Sequence, residues 1–109
     1  MDERAKRVGE NEALFRSVNE QVRGLNETFL VRDTLRIVCE CGEQSCIEQL
    51  DIEPVAYETL RGDPTLFAVK PGHELPDLET VVERNEGYSV VRKDRGVPED
   101  IARETDPRS

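Results

Sequence analysis

Apolar residues recur through the first thirty positions at helical spacing. Val8, Phe15, Val18, Val22, Leu25 and Phe29 are separated by steps of seven, three, four, three and four, and Ala5, Leu14 and Leu30 widen or extend the stripe. Such spacing lines one face of an α-helix, and no proline occurs before Pro54. Residues 1–30 therefore read as an N-terminal amphipathic helix. Gly24 weakens its last turns, and Asn26 offers an alternative end. The positions also fit a heptad, with Val8, Phe15, Val22 and Phe29 at a, and Asn11, Val18 and Leu25 at d. The stripe can pack on the chain's own sheet. It can instead meet a protein partner or a second copy through Val8, Phe15, Val18, Val22, Leu25 and Phe29, with Asn11 fixing register.

The period then changes from helical to two. Leu35-Arg36-Ile37-Val38-Cys39 alternates and is rich in β-branched residues, which predicts a strand with Leu35, Ile37, Cys39 and then Cys41 on one face. Gly42 breaks it, and Cys46–Ile52 returns as a second strand, so the cysteines sit at a hairpin tip. Pro54 suits the first turn of a short helix to Arg61 with Val55, Tyr57 and Leu60 inward. Gly62-Asp63-Pro64 stops that helix. Thr65–Val69 and Tyr88–Arg92 read as further strands, and Leu78–Arg84 as a strand or a short helix. From residue 95 only Val97, Ile101 and Ala102 are apolar, which predicts a loose tail. The expected architecture is α+β: helix 1–30, packed on or projecting from a small antiparallel sheet, a zinc-ribbon-like α+β domain over 31–94, and a disordered tail over 95–109.

Charge narrows the partners. The 109 residues carry a net charge of −9. Residues 1–38 hold seven acids and seven bases, so the whole excess lies beyond them. An acidic surface of this kind repels phosphate backbones and argues against nucleic-acid binding. No apolar run has the roughly 20 residues needed to span a bilayer, and no apolar stretch follows the charged N-terminus as a secretory signal would require. A cytoplasmic protein is expected. Three cysteines in a reducing compartment point to thiols or thiolate ligands.

Those cysteines carry the candidate chemistry. Cys39, Cys41 and Cys46 fall within eight residues, and the single histidine, His73, follows Pro71-Gly72. Three thiolates and an imidazole complete a tetrahedral zinc site with no open position for water, which makes such a site structural. The C-x-C-x₄-C spacing leaves free thiols or a redox pair open as alternatives. If His73 is not a ligand, Glu40, Glu43 or Glu74 could substitute, or two chains could share the metal. Gly42 permits the turn that folds Cys46 back.

The chain resembles a group of small, uncharacterised bacterial proteins. The resemblance rests on Asn11–Glu20 (Asn-Glu-Ala-Leu-Phe-Arg-x-Val-Asn-Glu), the Cys39–Cys46 hairpin, Tyr57–Pro64 and the Pro-Gly-His-Glu turn at Pro71–Glu74. It implies that the hairpin and the histidine turn belong to one design, and it carries no activity. With no nucleophile elbow, phosphate loop or H-E-x-x-H motif, the chain reads as non-catalytic. The expected function is a zinc-stabilised protein-interaction or regulatory module, and the alternative is a cysteine-based redox sensor.

Overall fold

The computed structural model describes residues 2–26 and 34–108, and the side chains of Asp2, Leu25 and Asn26 lie outside that description. The elements are α1 (Asp2–Asn26), β1 (Leu35–Val38), β2 (Gln49–Ile52), α2 (Pro54–Arg61), β3 (Leu66–Val69), β4 (Glu79–Asn85), β5 (Tyr88–Lys93) and α3 (Val97–Glu104). The architecture is α+β, with two small antiparallel sheets where one was expected. β1 and β2 form a hairpin, and the other sheet has the order β3-β5-β4.

Alternation decides the core. Leu35 pairs with Ile52 and Ile37 with Leu50, and all four are buried, because period two sends alternate side chains to one face. Phe67, Ala68, Val69 and Val91 of the second sheet belong to the same buried cluster. α2 adds Tyr57 and Leu60, but Val55 is 79 % exposed and lies on its outer side. Leu78–Arg84 resolves mainly as a strand, with a bulge between Val81 and Glu83. The extra residue, Val82, is exposed.

α1 packs only in part through its apolar stripe. Its buried face runs through Ala5, Val8, Glu12, Arg16 and Asn19, which is helical spacing, yet the last three are polar and at most 1 % exposed. Among the described stripe residues only Ala5 and Val8 are buried. Phe15 and Val22 are half-buried, Val18 is exposed, and so is Leu14 at 58 %. Phe29 lies outside the described residues. The cause is what α1 meets. β1 presents backbone groups without a strand partner on this side, and buried charges surround it, so polar side chains are needed to satisfy them.

The stretch expected as a loose tail contains α3 instead. Gly96 turns the chain at φ 102°, and Pro98 sits in the first turn. α3 lies against α1 at Gly9, where a β-carbon would fall 2.8 Å from Ile101 Cγ2. Arg16 crosses the interface, donating to the Ala102 carbonyl (2.9 Å) and Thr105 Oγ1 (2.9 Å), with its guanidinium 4.7 Å from the Phe67 ring centre. Arg108 ties the end of the chain to Glu20 and Glu58, both at 2.8 Å. Few apolar residues were needed, because buried hydrogen bonds do much of the holding.

Candidate metal centre

Three short stretches converge. The first is the extension of β1. Cys39 N donates to Glu48 O (3.0 Å), which prolongs the hairpin past the strand proper. Cys39 and Cys41 thus keep the inward face of Leu35 and Ile37 and are 1 % and 2 % exposed. The second is a tight turn in which Cys46 N donates to Glu43 O (3.0 Å) and returns Cys46 to the pair. The third is the Lys70–His73 turn, closed by His73 N to Lys70 O at 2.9 Å. Pro71 presets its φ, and Gly72 takes φ 93°, the combination of a type II turn.

The four ligand atoms lie within 4.8 Å of one another. His73 Nδ1 is 3.5 Å from Cys39 Sγ and 3.7 Å from Cys46 Sγ. Among the described residues no other group of histidine, cysteine and carboxylate side chains is placed to hold an ion. The arrangement is compatible with a bound metal. The Lys70 amide donates to Cys39 Sγ at 3.2 Å, a contact that supports thiolate charge and orients the sulfur. A cavity of about 260 Å³ lined by Cys41, Glu43, His73 and Glu74 opens beside the centre and leaves a route to solvent.

The thiols are not equivalent. The Cys41 thiol is lowered to about 5, chiefly by the hydrogen bond from Cys39, with the Glu43 backbone, His73 and Cys46 adding to it. The Cys39 thiol is raised by that same bond and by burial, and Cys46 is raised by burial. One sulfur therefore carries charge readily and its neighbours donate toward it. A cation in the middle would favour the charged form of all three.

The substitute carboxylates have other partners. Glu40, between two ligands in sequence, points away from them and is fully buried. Its oxygens accept Arg61 Nη1 (2.7 Å) and Nη2 (2.9 Å), Asn19 Nδ2 (2.8 Å) and the Ala68 amide (3.0 Å). It does not act as an anion beside the thiols. Glu43 accepts from Ser45 Oγ (3.2 Å), and Glu74 from the Gly72 amide (2.8 Å). Gly42 also differs from expectation, because its φ is not positive. A β-carbon there would fall 2.4 Å from Val8 Cγ1, so close approach of α1 is what requires glycine.

Sequence reasoning missed Glu40, Arg61, Asn11 and Asn19 as supports of the centre. For Glu40 a signal existed. If Cys39 and Cys41 share a face, the residue between them takes the opposite one, and here that side is covered by α1 and α2 residues. For the others the local sequence holds none, since their partners at the centre are 19 to 31 residues away.

No helix in the described residues is long and apolar enough to cross a membrane. Comparison of the chain with protein-family models, curated proteins and solved structures found no match.

Proposed function

We propose that the protein is a small zinc-stabilised module for protein interaction or regulation, non-catalytic, working in the cytoplasm. The observation that carries the reading is the spacing of the ligand atoms. Tetrahedral bonds of about 2.3 Å to sulfur and 2.0–2.1 Å to nitrogen put those atoms about 3.6 Å apart. His73 Nδ1 stands 3.5 and 3.7 Å from two of the sulfurs. Three soft thiolates with one imidazole favour zinc over harder cations. Four protein ligands leave no position for water or substrate, so the metal's role is to hold the Cys39–Cys46 hairpin to the His73 turn. The interaction surface is then the outward strip of α1, where Leu14 and Val18 are exposed beside half-buried Phe15 and Val22.

Metal analysis of protein purified without chelator tests this. About one zinc per chain is expected, and less than about 0.2 removes the reading. Cys41→Ser should lose the zinc and lower the melting temperature far more than an ordinary surface substitution. An unchanged melting temperature would remove the structural role.

One observation favours a redox reading instead. Cys46 is partly exposed beside two buried thiols within 4.8 Å. Peroxide would take two electrons as the Cys46 sulfur bonds to a neighbouring sulfur, its O–O bond breaking and its oxygens leaving with the two thiol protons as two water molecules. Free thiols that survive peroxide in the native protein would exclude it.

A further inference from the structure

We infer that the metal centre and the seat of α1 form one coupled unit, so that binding the metal tightens α1 against the body and losing it loosens α1. This rests on the metal reading above and names its regulation.

The segment Val38–Gly42 has two faces. Cys39 and Cys41 face the candidate centre. Every residue that alternates with them is held by α1. Asn19 Nδ2 donates to the Val38 carbonyl at 2.9 Å, and Asn19 Oδ1 accepts from the Val38 amide at 2.8 Å. One side chain thus stands in for a neighbouring strand. The same Nδ2 donates to Glu40 Oε2 at 2.8 Å. Asn11 Nδ2 donates to the Gly42 carbonyl at 3.0 Å, and Val8 occupies the space that a side chain on Gly42 would need.

Alternating groups on one extended backbone do not move independently. A shift that takes Cys39 and Cys41 off a metal also takes Val38, Glu40 and Gly42 away from Asn19, Asn11 and Val8. Hydrogen bonds of 2.8–3.0 Å weaken steeply as distance and angle degrade, so a small shift is enough. The α1 face is also suited to release. Glu12, Arg16 and Asn19 regain hydrogen bonds with water on separation, and the apolar contacts of α1 given up are those of Ala5, Val8 and the half-buried Phe15 and Val22.

Coupling between two sites is reciprocal: the factor by which zinc favours the seated α1 is the factor by which seating α1 favours zinc, so a variant that unseats α1 lowers zinc affinity by up to that factor. The test uses the full chain, loaded with Zn²⁺ and stripped of it, with amide hydrogen exchange followed by mass spectrometry. A competing chelator gives the Zn²⁺ affinity. Exchange over Glu10–Val22 is expected to be about tenfold faster without zinc, with β5 little changed. Asn11→Ala and Asn19→Ala should each raise the Kd for Zn²⁺ about tenfold, and Leu14→Ala, on the outer side, should leave it alone. Should Asn19→Ala fail to fold, the half-buried Asn11 contact still decides. Tight zinc binding with unchanged α1 exchange, and an unchanged Kd for Asn11→Ala, would overturn the coupling and leave the metal reading standing. Protection lost equally in β5 would also overturn it, because the metal would then hold the whole fold. No zinc binding at all would remove both.

Discussion

The interior between the sheets and the interior beneath α1 are equally dry and chemically opposite. Between the sheets lie Leu35, Ile37, Leu50, Ile52, Phe67 and Val91, all within 3 % exposure. Beneath α1 lie Glu12, Arg16 and Asn19 with Glu40, Arg61, Glu79 and Lys93, all within 4 %. Apolar contact is non-directional, so the first region gains free energy from area and tolerates changes of shape. Buried charges are desolvated, which favours the fold only when every partner is in place. The second region therefore contributes less to raw stability and more to a single arrangement of α1, α3 and the cysteine hairpin. Glu40 with Arg61 and Lys93 with Glu12 and Glu79 are its two charged knots.

Removing one partner of a knot should give the largest effect. Arg61→Ala strands the Glu40 carboxylate and should cost about 3–5 kcal/mol in chemical denaturation. Glu40→Gln with Arg61→Met should cost much less, since neither product leaves an unpaired buried charge. If the single and double changes cost the same, the polar region is not the directional network described above. Gly42→Ala should come next, at about 1–3 kcal/mol, because its β-carbon meets Val8 and α1 must shift. Urea midpoints of that variant, alone and with Val8→Ala, check it. The second change should restore part of the loss.

A further effect depends on pH. Burial, opposed by Lys93 and reinforced by Glu79, raises the Glu12 carboxyl from its ordinary 4.5 to about 8. Burial keeps a proton on Glu12, and Glu79, the other carboxyl on Lys93, also accepts the Leu75 amide at 2.8 Å. Between about pH 4.5 and 8 the folded chain holds that proton and the unfolded chain does not. Stability from this group is complete below that window and falls as pH rises through it, by at most about 1.4 kcal/mol per unit. Glu12→Gln should flatten the slope in paired denaturation curves. A parallel slope would place the proton elsewhere. The smallest effect is expected on the outer strip, where Leu14→Ser should change stability by less than about 0.5 kcal/mol. A larger loss would mean that the strip is covered within the protein.

Much of the sheet region is legible along the chain. The alternation of Leu35, Ile37, Cys39 and Cys41 predicts both a strand and a shared face, and the Pro71-Gly72 pair predicts the turn that presents His73. Pro54 marks the start of α2. These are local rules, acting over two to four residues. The polar region is not legible in the same way. Glu12, Arg16 and Asn19 have the composition of a solvated helix face, and nothing near them announces partners in β1, β5 and α3. The same blindness hides α3, whose two turns meet Gly9 and Arg16 from the far end of the chain.

For the centre itself the division is sharp. Sequence alone determined that three thiols share one hairpin, that two of them share a face, and that a single imidazole follows a glycine turn. Those follow from backbone periodicity and turn chemistry. Only the tertiary structure decided that His73 reaches the sulfurs, that Glu40 turns its back on them, and that α1 grips the residues alternating with Cys39 and Cys41. Each of these depends on which distant segments pack side by side, and that is settled by the burial and pairing of groups across the whole chain.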